Sequence, residues 1–224
     1  MPVDPMAERS GATARIVLLP GAYTRADDFA AAGFAEAVRD RHLAIELVAA
    51  DLEFSSMTDR SMLQRLRSGP LHDARAAGCP SVWLAGVSLG GFVALAFAER
   101  FPGEVDGICL IAPYLGTRIV TREIDEAGGL ARWQPAAVAE DDEERRIWRF
   151  IQSTRHERPV LYLGYGREDR FADSQRLLAD ALPPASVDVV DGGHDWPAWR
   201  RVWARFLDKW AAADGRSNGR PTIR

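Results

Sequence analysis

Short apolar runs alternate with longer amphipathic stretches along most of the chain. The runs at 15–19, 45–49, 81–87, 107–112, 159–164 and 186–190 are mostly continuous rather than alternating. A strand with one wet face reads as apolar–polar alternation, so continuous runs predict strands buried on both faces of a parallel sheet. Between them, residues 27–40, 58–77, 89–101, 170–181 and 196–211 carry helical periodicity. This rhythm predicts an α/β domain, a doubly wound and mostly parallel sheet of about six strands with helices on both faces.

One interval breaks the rhythm. About 45 residues separate the fourth run from the fifth, far more than a plain crossover needs. Residues 114–158 therefore predict a small, lid-like helical insertion after the fourth strand. Within it, 121–126 and 140–154 read as helices, broken by Gly128-Gly129 and Pro135. The acidic run 140–144 reads as a helix start facing water, where the helix dipole favours carboxylates. Residues 1–13 and 213–224 are polar and aperiodic and predict flexible ends around a domain spanning 14–212. In the last helix, Trp196, Trp199, Val202, Trp203, Phe206, Leu207 and Trp210 recur at helical spacing and predict a core face.

Composition narrows the class. The 224 residues include 47% hydrophobic ones, enough for a sizeable core and too many for a disordered chain. Basic and acidic residues number 28 and 32, so no cationic excess points to a nucleic-acid partner. Cys79 and Cys109 are too few for a disulfide framework, and neither has the spacing of a metal site. Cys109 sits in an apolar run and reads as a small buried hydrophobe. No apolar stretch has the length of a signal peptide or a membrane span, which predicts a cytoplasmic protein.

The chemistry concentrates at Gly86-Val87-Ser88-Leu89-Gly90-Gly91, between a strand-like run and the helical Phe92–Ala98 stretch. A strand that turns sharply into a helix around a serine needs small neighbours, and its hydroxyl projects above the sheet edge. The serine needs a base. His42, His72 and His156 lie in polar or charged surroundings and read as surface residues. His194 instead follows the last strand in Asp191-Gly192-Gly193-His194-Asp195-Trp196, where two glycines free the loop to approach the sheet edge. The loop after the fifth strand, Gly166-Arg167-Glu168-Asp169, offers a carboxylate to orient that histidine, Asp169 in preference to Glu168. Glu168 reads as a surface charge paired with Arg167 or Arg170, and Asp195 as the cap of the last helix.

These residues make the chain resemble the α/β-hydrolase superfamily from about 15 to 211. Two features depart from the common pattern. Pro20-Gly21 stands where most members carry His-Gly after the first strand, and the opening antiparallel hairpin is missing. The resemblance implies a catalytic triad of Ser88, Asp169 and His194, with an oxyanion hole of backbone N–H groups from Leu89 and from Ala22 or Tyr23. It implies hydrolysis of a carboxylic ester or an acyl thioester of a small molecule through an acyl-enzyme, with no metal and no cofactor. A non-catalytic binding role on the same scaffold would be marked by loss of a triad residue, and all three are present. Tyr23, Tyr114, Leu115, Trp133 and Trp196 are the candidate lining of a substrate pocket.

Overall fold

The computed structural model describes residues 12–52, 60–135, 137–153 and 159–214. Six strands form one sheet: β1 (Ala14–Leu19), β2 (Ile45–Ala49), β3 (Val82–Val87), β4 (Gly107–Ile111), β5 (Val160–Gly166) and β6 (Val187–Val190). Their order is β2-β1-β3-β4-β5-β6, and every neighbouring pair is parallel. β3 and β4 are buried along their whole length, as continuous apolar runs require. Each lies inside the sheet, with a hydrogen-bonded strand on either side.

Helices cover both faces of the sheet. α5 (Leu89–Arg100) packs on β1, β3 and β4, and α9 (Trp196–Asp214) packs on β4, β5 and β6. α5 is apolar nearly all round, because α7 (Glu143–Ser153) covers the side turned away from the sheet. The stripe on α9 is core: Trp203, Phe206 and Trp210 are at most 1% exposed. Trp203 stacks on Phe34, and its indole N–H donates to Phe34 O at 3.1 Å.

Two expected helices are broken. The 27–40 stretch divides into α1 (Ala26–Ala31) and α2 (Phe34–Asp40), because Gly33 at φ 79° interrupts the helical backbone. The 58–77 stretch gives α3 (Arg60–Leu66) and α4 (His72–Ala76), separated by a wide turn at Gly69-Pro70. Proline lacks the N–H a continuous helix would need there.

The 114–158 insertion contains α6 (Arg118–Glu126) and α7. α7 is tied to the body: its Trp148 indole N–H donates to Leu115 O at 3.0 Å, and Arg146 pairs with Glu99 of α5. Of the acidic run, Asp142 accepts the Arg145 N–H and so caps α7, with Glu143 and Glu144 in its first turn. α6 packs against α8 (Ala172–Ala181). At the ends, Thr13 N–H donates to Ala44 O at 2.8 Å and α9 continues to Asp214. The rest of both expected flexible ends, 1–11 and 215–224, lies outside the described residues, as do 53–59 and 154–158.

Burial makes one prediction about stability. Replacing Trp203 by Ala deletes a side chain packed in the core and should cost about 3–5 kcal/mol. The midpoint of urea unfolding should fall accordingly, whereas Tyr23→Ala, at a side chain 97% exposed, should leave it within error.

Candidate active site

The turn from β3 into α5 places Ser88 at φ 52°, ψ −114°. This is a left-handed conformation that a residue with a Cβ adopts only under constraint. The constraint is close approach. A Cβ at Gly86 would stand 2.3 Å from Gly90 O, and one at Gly90 would stand 2.2 Å from Leu19 O. Only glycine lets the strand, the helix and the β1 loop meet at these distances. The turn is tied down further by Ser88 N–H donating to Ile111 O and by Gly91 and Tyr114 N–H donating to Ser88 O, all within 3.0 Å. Ala112, at φ 48°, turns the chain after β4 toward this contact.

The structure brings Ser88, His194 and Asp169 together. Ser88 Oγ lies 2.9 Å from His194 Nε2, and His194 Nδ1 lies 2.8 Å from Asp169 Oδ2. An ionised carboxylate can only accept, so this pairing puts a proton on Nδ1 and leaves Nε2 to accept from the serine hydroxyl. The Asp169 side chain is fully buried, and its other oxygen accepts the Phe171 N–H at 2.8 Å. Both carboxylate oxygens are therefore satisfied, as a buried charge requires.

Three further groups hold the histidine, and the sequence reading missed them. Phe171 and Trp199 meet the imidazole edge-to-face from 5.1 and 5.2 Å. Glu168 does not pair with Arg167 or Arg170; its carboxylate accepts the Gly192 N–H at 2.7 Å, and its own N–H donates to Gly192 O. Phe171 had a signal in the sequence, since an aspartate often accepts the N–H two residues on. Glu168 had none, because its partner lies on another strand's loop. Asp195 caps α9 by accepting the Ala198 N–H, as expected.

Among the described residues the oxyanion candidates carry N–H groups without a protein acceptor. Leu89 is the first residue of α5, where the N–H has no acceptor within the helix. Gly21 lies against Ser88, a Cβ there falling 3.2 Å from Ser88 Cβ. Among the described residues the Ala22 and Tyr23 N–H groups donate to no protein acceptor. Both remain candidates for the second donor.

The pocket expectations need correction. Tyr23 stands out into solvent, 97% exposed. Leu115 and Trp133 are buried, and their carbonyls accept from Trp148 and Gln152 of α7. Trp196 faces a separate groove between α1–α2 and α9, held edge-on by Phe29, Phe34 and Trp199. Tyr114 lines the cleft between α6 and α8, and its N–H donates to Ser88 O. Burial raises the Cys109 thiol well above its ordinary range, so it offers no thiolate nucleophile. Among the described residues no cluster of His, Cys, Asp and Glu is arranged to hold a metal, and no helix is long and apolar enough to cross a membrane.

The sequence matches the model of the family described as "Putative esterase" over residues 69–207, which include Ser88, Asp169 and His194. Comparison with curated proteins gives no match. Among solved structures, the chain is similar to the fluorophosphonate-binding serine hydrolase F of Staphylococcus aureus (TM-score 0.65, 12% identity, 96% of this chain and 91% of that one). It is also similar to a CIB-like hydrolase of Thermoplasma acidophilum (TM-score 0.56, 18% identity, 89% and 88%). A third relative is the S-formylglutathione hydrolase of the same Staphylococcus (TM-score 0.59, 13% identity, 88% and 80%). At these identities the likeness is one of fold.

The glycine contacts generate the prediction here. Gly90→Ala forces its Cβ against the Leu19 carbonyl, with no flexible side chain available to yield. A loss of at least about 2 kcal/mol should follow, lowering Tm by about 4–8 °C in a thermal melt. A wild-type Tm in this variant would contradict the described contact.

Proposed function

The chain belongs to the Esterase family and carries the α/β-hydrolase fold, and from that premise we propose that it cleaves a carboxylic ester through an acyl-enzyme on Ser88. The observation that carries this reading is the continuous hydrogen-bonded line from Ser88 Oγ through the imidazole of His194 to the buried carboxylate of Asp169. A hydroxyl is a weak nucleophile until a base removes its proton, and Nε2 is positioned to take it.

In the first half-reaction Ser88 Oγ attacks the acyl carbonyl carbon as its proton moves to His194 Nε2. The carbonyl π pair goes to oxygen. The Leu89 N–H and that of Ala22 or Tyr23 stabilise the oxyanion, where pre-aimed donors are worth about 3–4 kcal/mol each. Asp169 stabilises the imidazolium. The tetrahedral species then expels the leaving-group oxygen, which takes the Nε2 proton and departs as the alcohol. In the second half water attacks the acyl-enzyme, again losing its proton to Nε2, and Ser88 recovers that proton as the carboxylic acid leaves. Every proton is accounted for by His194, so no further acid or base is required.

The machinery treats an oxygen ester and a thioester alike up to the departure of the leaving atom. A matched pair, the butyryl ester of a small alcohol against butyryl-CoA, separates the two by their kcat/KM.

Two variants test the roles. Ser88→Ala should lower kcat on short p-nitrophenyl esters by about 10⁶-fold and abolish labelling by a fluorophosphonate probe. Asp169→Asn should lower kcat by about 10³–10⁴-fold while keeping KM within a few-fold, because it disturbs the imidazole and leaves binding intact. Labelling or turnover retained in Ser88→Ala would sink the assignment.

A further inference from the structure

A cleft of about 820 Å³ opens between α6 and α8. Its inner wall is Tyr114 and Phe171, whose rings meet at 5.6 Å. The same two residues touch the candidate site. Tyr114 N–H donates to Ser88 O at 2.9 Å, and the Phe171 ring lies 5.1 Å from the imidazole of His194. None of the residues 20–24, which carry the second oxyanion donor, lines it. The cleft wall thus adjoins the site through Phe171, on the histidine side of Ser88. A departing alcohol takes its proton from His194 Nε2, so this is the side on which the leaving group lies.

The cleft wall carries charges of both signs. Arg118 and Arg122 stand on the first turns of α6, which begins shortly after Tyr114. Arg170 precedes α8 and places its guanidinium 4.9 Å over the Phe171 ring. Asp125 and Asp180 belong to the last turns of the same two helices. Asp173 is engaged by Arg176, and Glu144, behind Gly116, accepts the N–H and hydroxyl of Thr117. Among the described residues Arg118 and Arg122 have no carboxylate partner. Arg118, Arg122 and Arg170 thus line the cleft with guanidinium groups that no carboxylate pairs among the described residues. Guanidinium groups match carboxylate and phosphate oxygens in pairs, and they do so with the planar fork that lysine lacks.

We propose that the leaving group of the substrate carries an anionic oxygen group, a carboxylate or a phosphate, held by Arg118, Arg122 and Arg170 in this cleft. The inference rests on the reading of Ser88 and His194 given above. It makes the enzyme selective for esters whose alcohol half is an acid, and the selectivity is screened by salt because the arginines are partly solvated.

The test uses the full chain and three butyrate esters that differ in one substituent: 4-carboxyphenyl, 4-phosphonooxyphenyl and the neutral 4-carbamoylphenyl. The kcat/KM of one or both anionic esters should exceed that of the neutral ester by about tenfold or more, and the larger value identifies carboxylate or phosphate. Raising the salt concentration should compress the ratio. The triple variant R118Q/R122Q/R170Q, or Arg122→Gln alone where the triple does not fold, should move it toward one. A second arm is independent of turnover: calorimetric binding of 4-hydroxybenzoate, phenyl phosphate and 4-hydroxybenzamide to Ser88→Ala, with the anions bound more tightly. Equal kcat/KM and equal binding overturn the cleft assignment and leave the Ser88 reading intact. Anion-selective binding without hydrolysis of any ester does the reverse.

Discussion

A serine at φ 52° sits in a conformation that costs about 1–3 kcal/mol, and it persists only where its surroundings over-determine it. Here β3 is hydrogen-bonded between β1 and β4, while α5 is packed under the sheet and covered by α7. The peptide joining them has no room to relax, because Gly86, Gly90 and the Leu19 carbonyl meet at distances only glycine allows. With that turn fixed, the hydroxyl projects over the end of the sheet. The other site residues reach the same place because parallel strands carry all their C-terminal loops to one edge. The β1 loop, the β5 loop bearing Asp169 and the β6 loop bearing His194 are three such loops.

Precision beyond the topology comes from contacts between loops. Asp169 is held by its own turn through the Phe171 N–H, and Glu168, its neighbour, holds the histidine loop through Gly192. The acid loop therefore positions the base twice, once through the imidazole and once through the backbone. Phe171 and Trp199 restrict the ring from two sides. An imidazole so confined keeps Nε2 aimed at Ser88 Oγ, the preorganisation that the proposed reaction would use.

Much of this was legible in the sequence. All six strands fall within two residues of the apolar runs that predict them, since a fully buried strand leaves a continuous signature. Ser88, Asp169 and His194 were legible because the turn, the acid and the base each follow a strand directly. The helix breaks at Gly33 and Gly69-Pro70 were not read, because amphipathic spacing continues across them while the backbone does not. The lining of the cleft was least legible. Leu115 and Trp133 are apolar residues in an insertion, and sequence alone does not distinguish those that cover a helix from those that face a ligand. Arg118, Arg122 and Arg170 lie apart in the sequence and line one cleft only through the packing of α6 against α8.

The central claim is that Ser88 carries the acyl group during turnover. Rapid-quench mass spectrometry of the enzyme with a p-nitrophenyl ester, followed by peptide mapping, tests it most directly. The account predicts one transient acyl adduct per chain, on the peptide containing Ser88, formed as fast as the burst of p-nitrophenol and gone once substrate is exhausted. Steady hydrolysis with no adduct, or an adduct on any other residue that forms and decays at the catalytic rate, would contradict it.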